Sequence, residues 1–138
     1  TIWGEHNPCL FLIKNIEKKY KRFDKVAAVM IHVPDLEAGL EWYKKAFVEA
    51  KKYKLSEFNF ELLDLNGVLI EIVNSDQKVS HGACGTVVYW QVSDFEMTKN
   101  HLEKLGATLY RGPMNIEDGK RICQMKDPFG NLLGIRGA

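Results

Sequence analysis

The sequence predicts an α+β fold made of two tandem βαβββ modules, and an internal repeat is the main evidence. The segment VMIHVPDLE (29–37) returns as VYWQVSDFE (88–96), with its valines and acidic residues at a constant offset. Each copy begins as an apolar run of strand character and continues with apolar residues at helical spacing. Three further strand candidates, separated by turn residues, follow each helix. The chain therefore repeats the order strand, helix, strand, strand, strand.

The first module is predicted to span residues 26–75. After its opening strand the sequence turns at Pro34-Asp35 and enters a helix, whose apolar face is formed by Leu36, Leu40, Tyr43 and Phe47. Asn66-Gly67 is a two-residue hairpin signal between the last two strands. The three strands after the helix are expected near 50–57, at 58–65 and at 68–73.

The second module is predicted to span residues 85–137. Its helix carries Phe95, Met97, Leu102 and Leu105 on one face. Ser93 and Glu96 have the S-x-x-E spacing of a capping box, and Gly106 is a common helix-ending residue. The three strands after this helix are expected at 107–112, 120–126 and 132–136.

The 138 residues suit a single domain, expected at 26–138, behind an N-terminal extension at 1–25. The 19 basic and 18 acidic side chains nearly cancel, which argues against nucleic acid or an anionic membrane as a partner. The 3 cysteines are far apart and odd in number, so they predict reduced thiols in a cytoplasmic protein.

Two motifs carry a family resemblance over residues 26–137. A V-x-D-[LF]-E junction opens each helix, and DPFGN (127–131) forms a D-P-x-G-N turn before the last strand. Together with the repeat, they make the chain resemble the vicinal oxygen chelate superfamily, which includes glyoxalase I, extradiol dioxygenases, fosfomycin-modifying enzymes and bleomycin-resistance proteins. The resemblance implies a half-open mixed β-barrel with helices on the outside and a ligand inside. It also implies a homodimer whose cavities are completed between modules of two chains.

The resemblance locates four positions at which metal enzymes of this superfamily hold a divalent ion. In this sequence the four positions are Ala28, Glu71, Val87 and Gly134. Only Glu71 has a side chain that binds metal, whereas such an ion normally takes three or four N or O ligands. The sequence therefore predicts neither the usual metal site nor another cofactor.

Strand alternation predicts which side chains line the cavity. If position 28 faces inward, the polar and contact-making residues of the cavity are Met30, His32, Glu71, Tyr89, Gln91 and Arg136. An apolar cup with a few polar groups is typical of a small-molecule site.

Each polar group of this set also has a structural interpretation. Glu71 is expected either to contact a ligand or to pair with Arg136 or a backbone amide. Tyr89 is expected either to stack on a planar ligand or to pack in the core. Arg136 near the end of its strand is positioned to reach an anionic substituent. Cys123 and His32 would form a nucleophilic pair only if they met across the barrel.

The predicted function is a metal-independent small-molecule binding protein that holds an apolar or aromatic ligand in the cup, with antibiotics among the candidates. No catalytic residue is assigned. The alternative is a metal-dependent lyase, isomerase or dioxygenase with non-standard ligands that include Glu71. A third interpretation is an interaction module that makes its contacts through residues 1–24.

Overall fold

The computed structural model describes residues 21–57 and 60–138 and contains two βαβββ modules. Module one consists of β1 (Ala28–Val33), α1 (Leu36–Ala46), β2 (Lys51–Leu55), β3 (Phe60–Leu65) and β4 (Val68–Asn74). Module two consists of β5 (Tyr89–Val92), α2 (Phe95–Lys104), β6 (Thr108–Asn115), a 3-10 turn (Glu117–Gly119), β7 (Arg121–Lys126) and β8 (Leu132–Gly137). The predicted order of elements is confirmed in both halves.

Each module forms its own four-stranded mixed sheet. The strand orders are β1-β4-β3-β2 and β5-β8-β7-β6, with β1 parallel to β4 and β5 parallel to β8. The remaining neighbours are antiparallel. No strand of one sheet pairs with the other among the described residues, so the barrel is open. The predicted α+β class and half-open architecture are therefore confirmed.

Both helices begin at an aspartate of the repeated junction. Asp35 accepts a hydrogen bond from the Ala38 amide at 3.3 Å, and Asp94 accepts one from the Met97 amide at 3.0 Å. These side chains satisfy amides that lack partners within the helix. The predicted capping box that starts at Ser93 is wrong, because Asp94 is the capping residue and Glu96 instead forms an ion pair with Arg121.

The core lies on the side of each sheet that carries its helix. In module one, Val33, Ile70 and Ile72 are buried there, and α1 packs on them closely. A Cβ added at Gly39 of α1 would lie 2.6 Å from Cγ2 of Val33, so this position of the helix must lack a side chain. In module two, the matching face buries Phe95, Met125 and Ile135. Burial of these apolar side chains is the main stabilising contribution to each half.

The two helices cap one another. Nε1 of Trp42 in α1 donates to the Leu105 carbonyl oxygen after α2, at 2.7 Å. Nε2 of His101 in α2 donates in turn to the Lys45 carbonyl oxygen at 3.0 Å. Trp42 and His101 are related by the same offset as the sequence repeat. Each helix therefore supplies a ring N–H to the unpaired carbonyls at the end of the other.

Aromatic and polar contacts complete the junction between the modules. The rings of Phe47 and Trp90 meet edge to face with centroids 5.3 Å apart. The Tyr43 hydroxyl donates to the carboxylate of Asp127, which is buried in the turn before β8. Asn131 of the same turn donates from its side-chain amide to the carbonyl oxygen of His32, at 2.8 Å.

The N-terminal sequence predicts two further elements, an edge strand in the apolar run CLFLI (9–13) and a short basic helix in IEKKYKRF (16–23). The edge strand lies outside the described residues. The short helix expected at 16–23 is described only at 21–23, and that part is not helical. Over the described residues, no helix combines the length and apolar character needed to cross a bilayer.

Candidate functional site

The predicted cavity residues lie on the two sheet faces that carry no helix. Open face one is the helix-free face of module one and contains Met30, His32 and Glu71. Open face two is the helix-free face of module two and contains Tyr89, Gln91 and Arg136. The strand periodicity places them there, because their sequence neighbours point into the buried core on the opposite side.

Open face one is a mixed surface, on which Glu71 lies among apolar side chains and the register pair Lys51–Asp64 lies on β2 and β3. Glu71 is paired with Met30 in the β1–β4 register, and it stands between the buried Ile70 and Ile72 of its own strand. Tyr53 of β2 lies on the same face, and it is 48% exposed while Met30 is 54% exposed. A single chain thus leaves large apolar side chains uncovered around Glu71.

Open face two is organised around Tyr89. Its ring lies over Gly134, the residue paired with it in the β5–β8 register. Nε2 of Gln124 donates to the Tyr89 hydroxyl oxygen at 2.9 Å, which holds the ring in place. Gln124 was not predicted, although it lies opposite Gly134 in β7 and strand alternation assigns it to this face.

Arg136 on open face two is held by Glu117, at 2.8 Å between Nη2 and Oε1. The structural alternative of a Glu71–Arg136 pair is therefore wrong within one chain. The register explains this, because Arg136 belongs to module two and Glu71 to module one, whose sheets share no strand pairing.

Cys123 lies on the opposite side of module two from open face two. It pairs with Ile135 in the register and is 2% exposed in the core. Burial raises the pKa of its thiol to about 11. The suggested nucleophilic pair with His32 is therefore wrong, because a neutral core thiol is not a nucleophile near neutral pH.

The four family metal positions do not fit a metal ion. At the fourth of them, a Cβ added to Gly134 would lie 2.6 Å from Cδ1 of Tyr89, so the phenol ring takes the space of a ligand side chain. Ala28 and Val87 offer no donor atom. Within residues 21–57 and 60–138, no three His, Cys, Asp or Glu side chains come together as a metal-binding group.

Neither of two cavities in a single chain contains all six predicted residues. A cavity of about 400 Å³ between the modules includes Met30 and His32 in its lining. A second groove, of about 900 Å³, includes Gln91. Glu71, Tyr89 and Arg136 line neither. The predicted set is thus divided into two groups of three on separate surfaces.

Several solved structures have the same fold as this chain. A glyoxalase/bleomycin resistance protein/dioxygenase superfamily member from Sphaerobacter thermophilus matches with a TM-score of 0.66 at 17% identity, over 86% of this chain and 100% of that one. A glyoxalase-related enzyme from Fulvimarina pelagi matches with a TM-score of 0.65 at 16% identity, over 84% and 89%. The fosfomycin resistance protein FosX from Mesorhizobium loti matches with a TM-score of 0.61 at 14% identity, over 86% and 94%.

The chain thus has the fold of the glyoxalase/bleomycin resistance protein/dioxygenase superfamily. The resemblance deduced from its repeat and its D-P-x-G-N turn is confirmed in its fold. No family model matches the sequence, and no curated protein matches it. These three solved structures are less than 20% identical to this chain, so the similarity establishes the fold only. The function has to be inferred from the residues of the site.

Proposed function

We propose that this protein binds an apolar or aromatic small molecule without a metal ion. The ligand lies in a cup between open face one of one copy and open face two of a second copy. The observation that carries the proposal is the Tyr89 ring over Gly134, which fills a family metal position with an aromatic surface.

The need for a second copy follows from how the modules pack. The contacts between them come from the helices, from Trp90 and from the turn before β8. The open faces lie on the other sides of the sheets, where Met30, Tyr53 and Tyr89 are 54%, 48% and 40% exposed. Exposed apolar surfaces of this kind mark interaction sites in soluble proteins. A two-fold dimer pairs each open face one with an open face two.

The two faces supply what a small-molecule site requires. Tyr89 presents a ring for stacking, and its fixed hydroxyl offers a donor for orientation. Met30 supplies a flexible apolar contact that adapts to ligand shape. Glu71 has Met30 beside it, and Leu69 and Val73 lie on the same face of its own strand, an apolar setting like that of polar groups in characterised ligand pockets.

Titration of metal-stripped protein tests the proposal. The protein is treated with a chelator and titrated by calorimetry with aromatic metabolites, bleomycin and fosfomycin. The two antibiotics are included because the names of structurally similar proteins mention resistance to them. We expect saturable binding by at least one aromatic compound, unchanged by added Zn²⁺, Mn²⁺ or Ni²⁺. Sedimentation velocity is expected to give a dimer. A folded monomer that binds none of these compounds would contradict the proposal.

Substitutions at Tyr89 provide the matched control. Tyr89→Phe keeps the ring over Gly134 and loses only the hydrogen bond from Gln124. Tyr89→Ala removes the stacking surface and is expected to lower ligand affinity by about 10-fold or more. If the wild type and both variants bound the ligand with equal affinity, Tyr89 would not be part of the binding site.

We also propose a reducing, cytoplasmic location for the protein. Its support is that Cys84 and Cys123 are both free thiols in the described part of the chain. Mass measurement of the alkylated protein from its native host would show a disulfide if the compartment were oxidising.

A further inference from the structure

We infer that the ligand of this cup carries a positive charge on an apolar or aromatic body, and that Glu71 of one copy and Tyr89 of the other hold that charge. The inference rests on the proposed function, since it specifies the ligand class for the same cup.

The charges on the open faces are unequally satisfied. Arg136 is paired with Glu117, and the Tyr89 hydroxyl is bound by Gln124. Glu71 forms neither an ion pair nor a hydrogen bond with any residue in the described ranges. Glu71 is therefore an unpaired carboxylate on open face one, while Arg111 and Lys126 on open face two also lack an acidic partner in the described ranges.

The surroundings of Glu71 make a partner necessary once the cup closes. In one chain the carboxylate is half-buried and still reaches water. Its neighbours in the sheet are Met30 and the aliphatic residues of β4. Covering this face with a second chain removes water from a carboxylate in apolar surroundings, which is unfavourable unless a cation accompanies it.

The repeat indicates what faces Glu71 across the cup. Met30 and Tyr89 occupy the same place in the two copies of the repeat. In module one Met30 is paired with Glu71 of β4, and in module two Tyr89 is paired with Gly134 of β8. The two pairs therefore correspond. A cup built from one face of each kind brings these corresponding pairs to opposite walls. The Tyr89 ring then presents its electron-rich face toward the Glu71 carboxylate.

A carboxylate opposite an aromatic ring favours an organic cation. The carboxylate supplies a charge-assisted hydrogen bond to an ammonium group, and the ring adds a cation–π interaction. The class that fits is a protonated or quaternary amine attached to an apolar chain or aromatic ring. A carboxylate-bearing ligand is disfavoured beside Glu71, because two carboxylates at close range repel each other.

Three probes with the same apolar body test the charge preference. The full chain is titrated by calorimetry at low salt with 4-phenylbutylamine, 4-phenylbutanol and 4-phenylbutyrate. We expect the amine to bind about 10-fold more tightly than the alcohol, and the butyrate to bind most weakly. In Glu71→Gln the amine is expected to lose its advantage while the alcohol keeps its affinity.

Two further variants keep the result interpretable. Glu71→Asp retains the negative charge and is expected to retain the preference for the amine. Glu37→Gln removes an exposed carboxylate from α1, on the other side of the sheet, and is expected to leave all three affinities unchanged. Circular dichroism confirms that each variant is folded before titration.

The outcomes separate this inference from the proposed function. If the alcohol binds as tightly as the amine, the charge preference is overturned and the apolar site stands. If the amine keeps its advantage in Glu71→Gln, Glu71 is not its partner and the inference is overturned. If the partner of Glu71 is instead Arg111, Lys126 or Arg136 on open face two of the second copy, Glu71→Gln and the Gln variant of that residue weaken the dimer equally, no amine preference appears, and the inference is overturned. If no probe binds, both proposals fail together.

Discussion

The ring of Tyr89 covers Gly134 so closely that a Cβ at residue 134 would lie 2.6 Å from Cδ1 of the ring. The two residues are direct partners in the parallel β5–β8 register. This contact explains why a strand interior, where glycine is unfavourable, contains glycine here. The absence of a side chain lets an aromatic ring lie flat on the sheet at the position where metal enzymes of this fold carry a ligand.

Adding a methyl group beneath that ring tests the contact directly. Gly134→Ala is expected to lower the free energy of unfolding by about 1–3 kcal/mol, because the new Cβ overlaps the ring. Urea denaturation measures the change. Combined with Tyr89→Ala, the same substitution is expected to cost clearly less, since the clashing ring is then gone. Strict additivity of the two substitutions would contradict the contact.

The Tyr43–Asp127 hydrogen bond predicts an alkaline weakening of the fold. Burial, and next the charge of Asp127, raise the pKa of Tyr43 well above its ordinary value of 10.0. Because the folded state keeps the proton longer than the unfolded state, the contribution is complete below pH 10 and is lost as the pH rises above it. Urea titrations at pH 8 and above pH 10 measure the loss.

Tyr43→Phe is the control for this pH effect. It is expected to lower the free energy of unfolding at pH 8 by about 1–3 kcal/mol, because the Asp127 carboxylate loses a buried donor. Above pH 10 the difference between the two proteins is expected to shrink, as the phenol of the unfolded wild type ionises. A difference that stays constant with pH would show that Tyr43 does not cause the weakening.

The described cysteines are expected to differ in reactivity. Cys84 is exposed, whereas Cys123 is buried with a thiol pKa raised to about 11 by that burial. Iodoacetamide at pH 8 is therefore expected to label Cys84 in the native protein and Cys123 only in urea. Peptide mapping distinguishes the sites. Rapid labelling of Cys123 without denaturant would place its thiol outside the core.

The reciprocal helix caps are expected to couple the modules. His101→Ala and Trp42→Phe each remove one ring N–H from a helix-end carbonyl, with an expected cost of about 1 kcal/mol in the free energy of unfolding. Asn100→Ala, an exposed change on the same helix as His101, is expected to stay within about 0.5 kcal/mol. Thermal and urea denaturation compare the three. If all three substitutions lowered the free energy of unfolding equally, the two ring N–H caps would not contribute to stability.

The organisation of each module was predictable from the sequence because its signals are local. The apolar period distinguishes strands from helices, and the aspartates of the repeat mark where the helices start. Alternation along β1, β4, β5 and β8 assigned the open-face residues to the side away from the core. Even here a local choice was missed, since Ser93 and Asp94 are adjacent candidates and only the backbone geometry selects Asp94.

The partners of the site residues were decided by the tertiary structure alone. Strand alternation places Arg136 on a face, but the loop after β6 brings Glu117 to it. Likewise, the sequence shows a glycine at 134, and only the β5–β8 register puts the Tyr89 ring over it. The sheet faces that meet within one chain are also set by long-range contacts, because they depend on how α1 and α2 pack against each other. The sequence thus determined which side chains lie on the two open faces, whereas long-range packing determined that one chain keeps these faces apart.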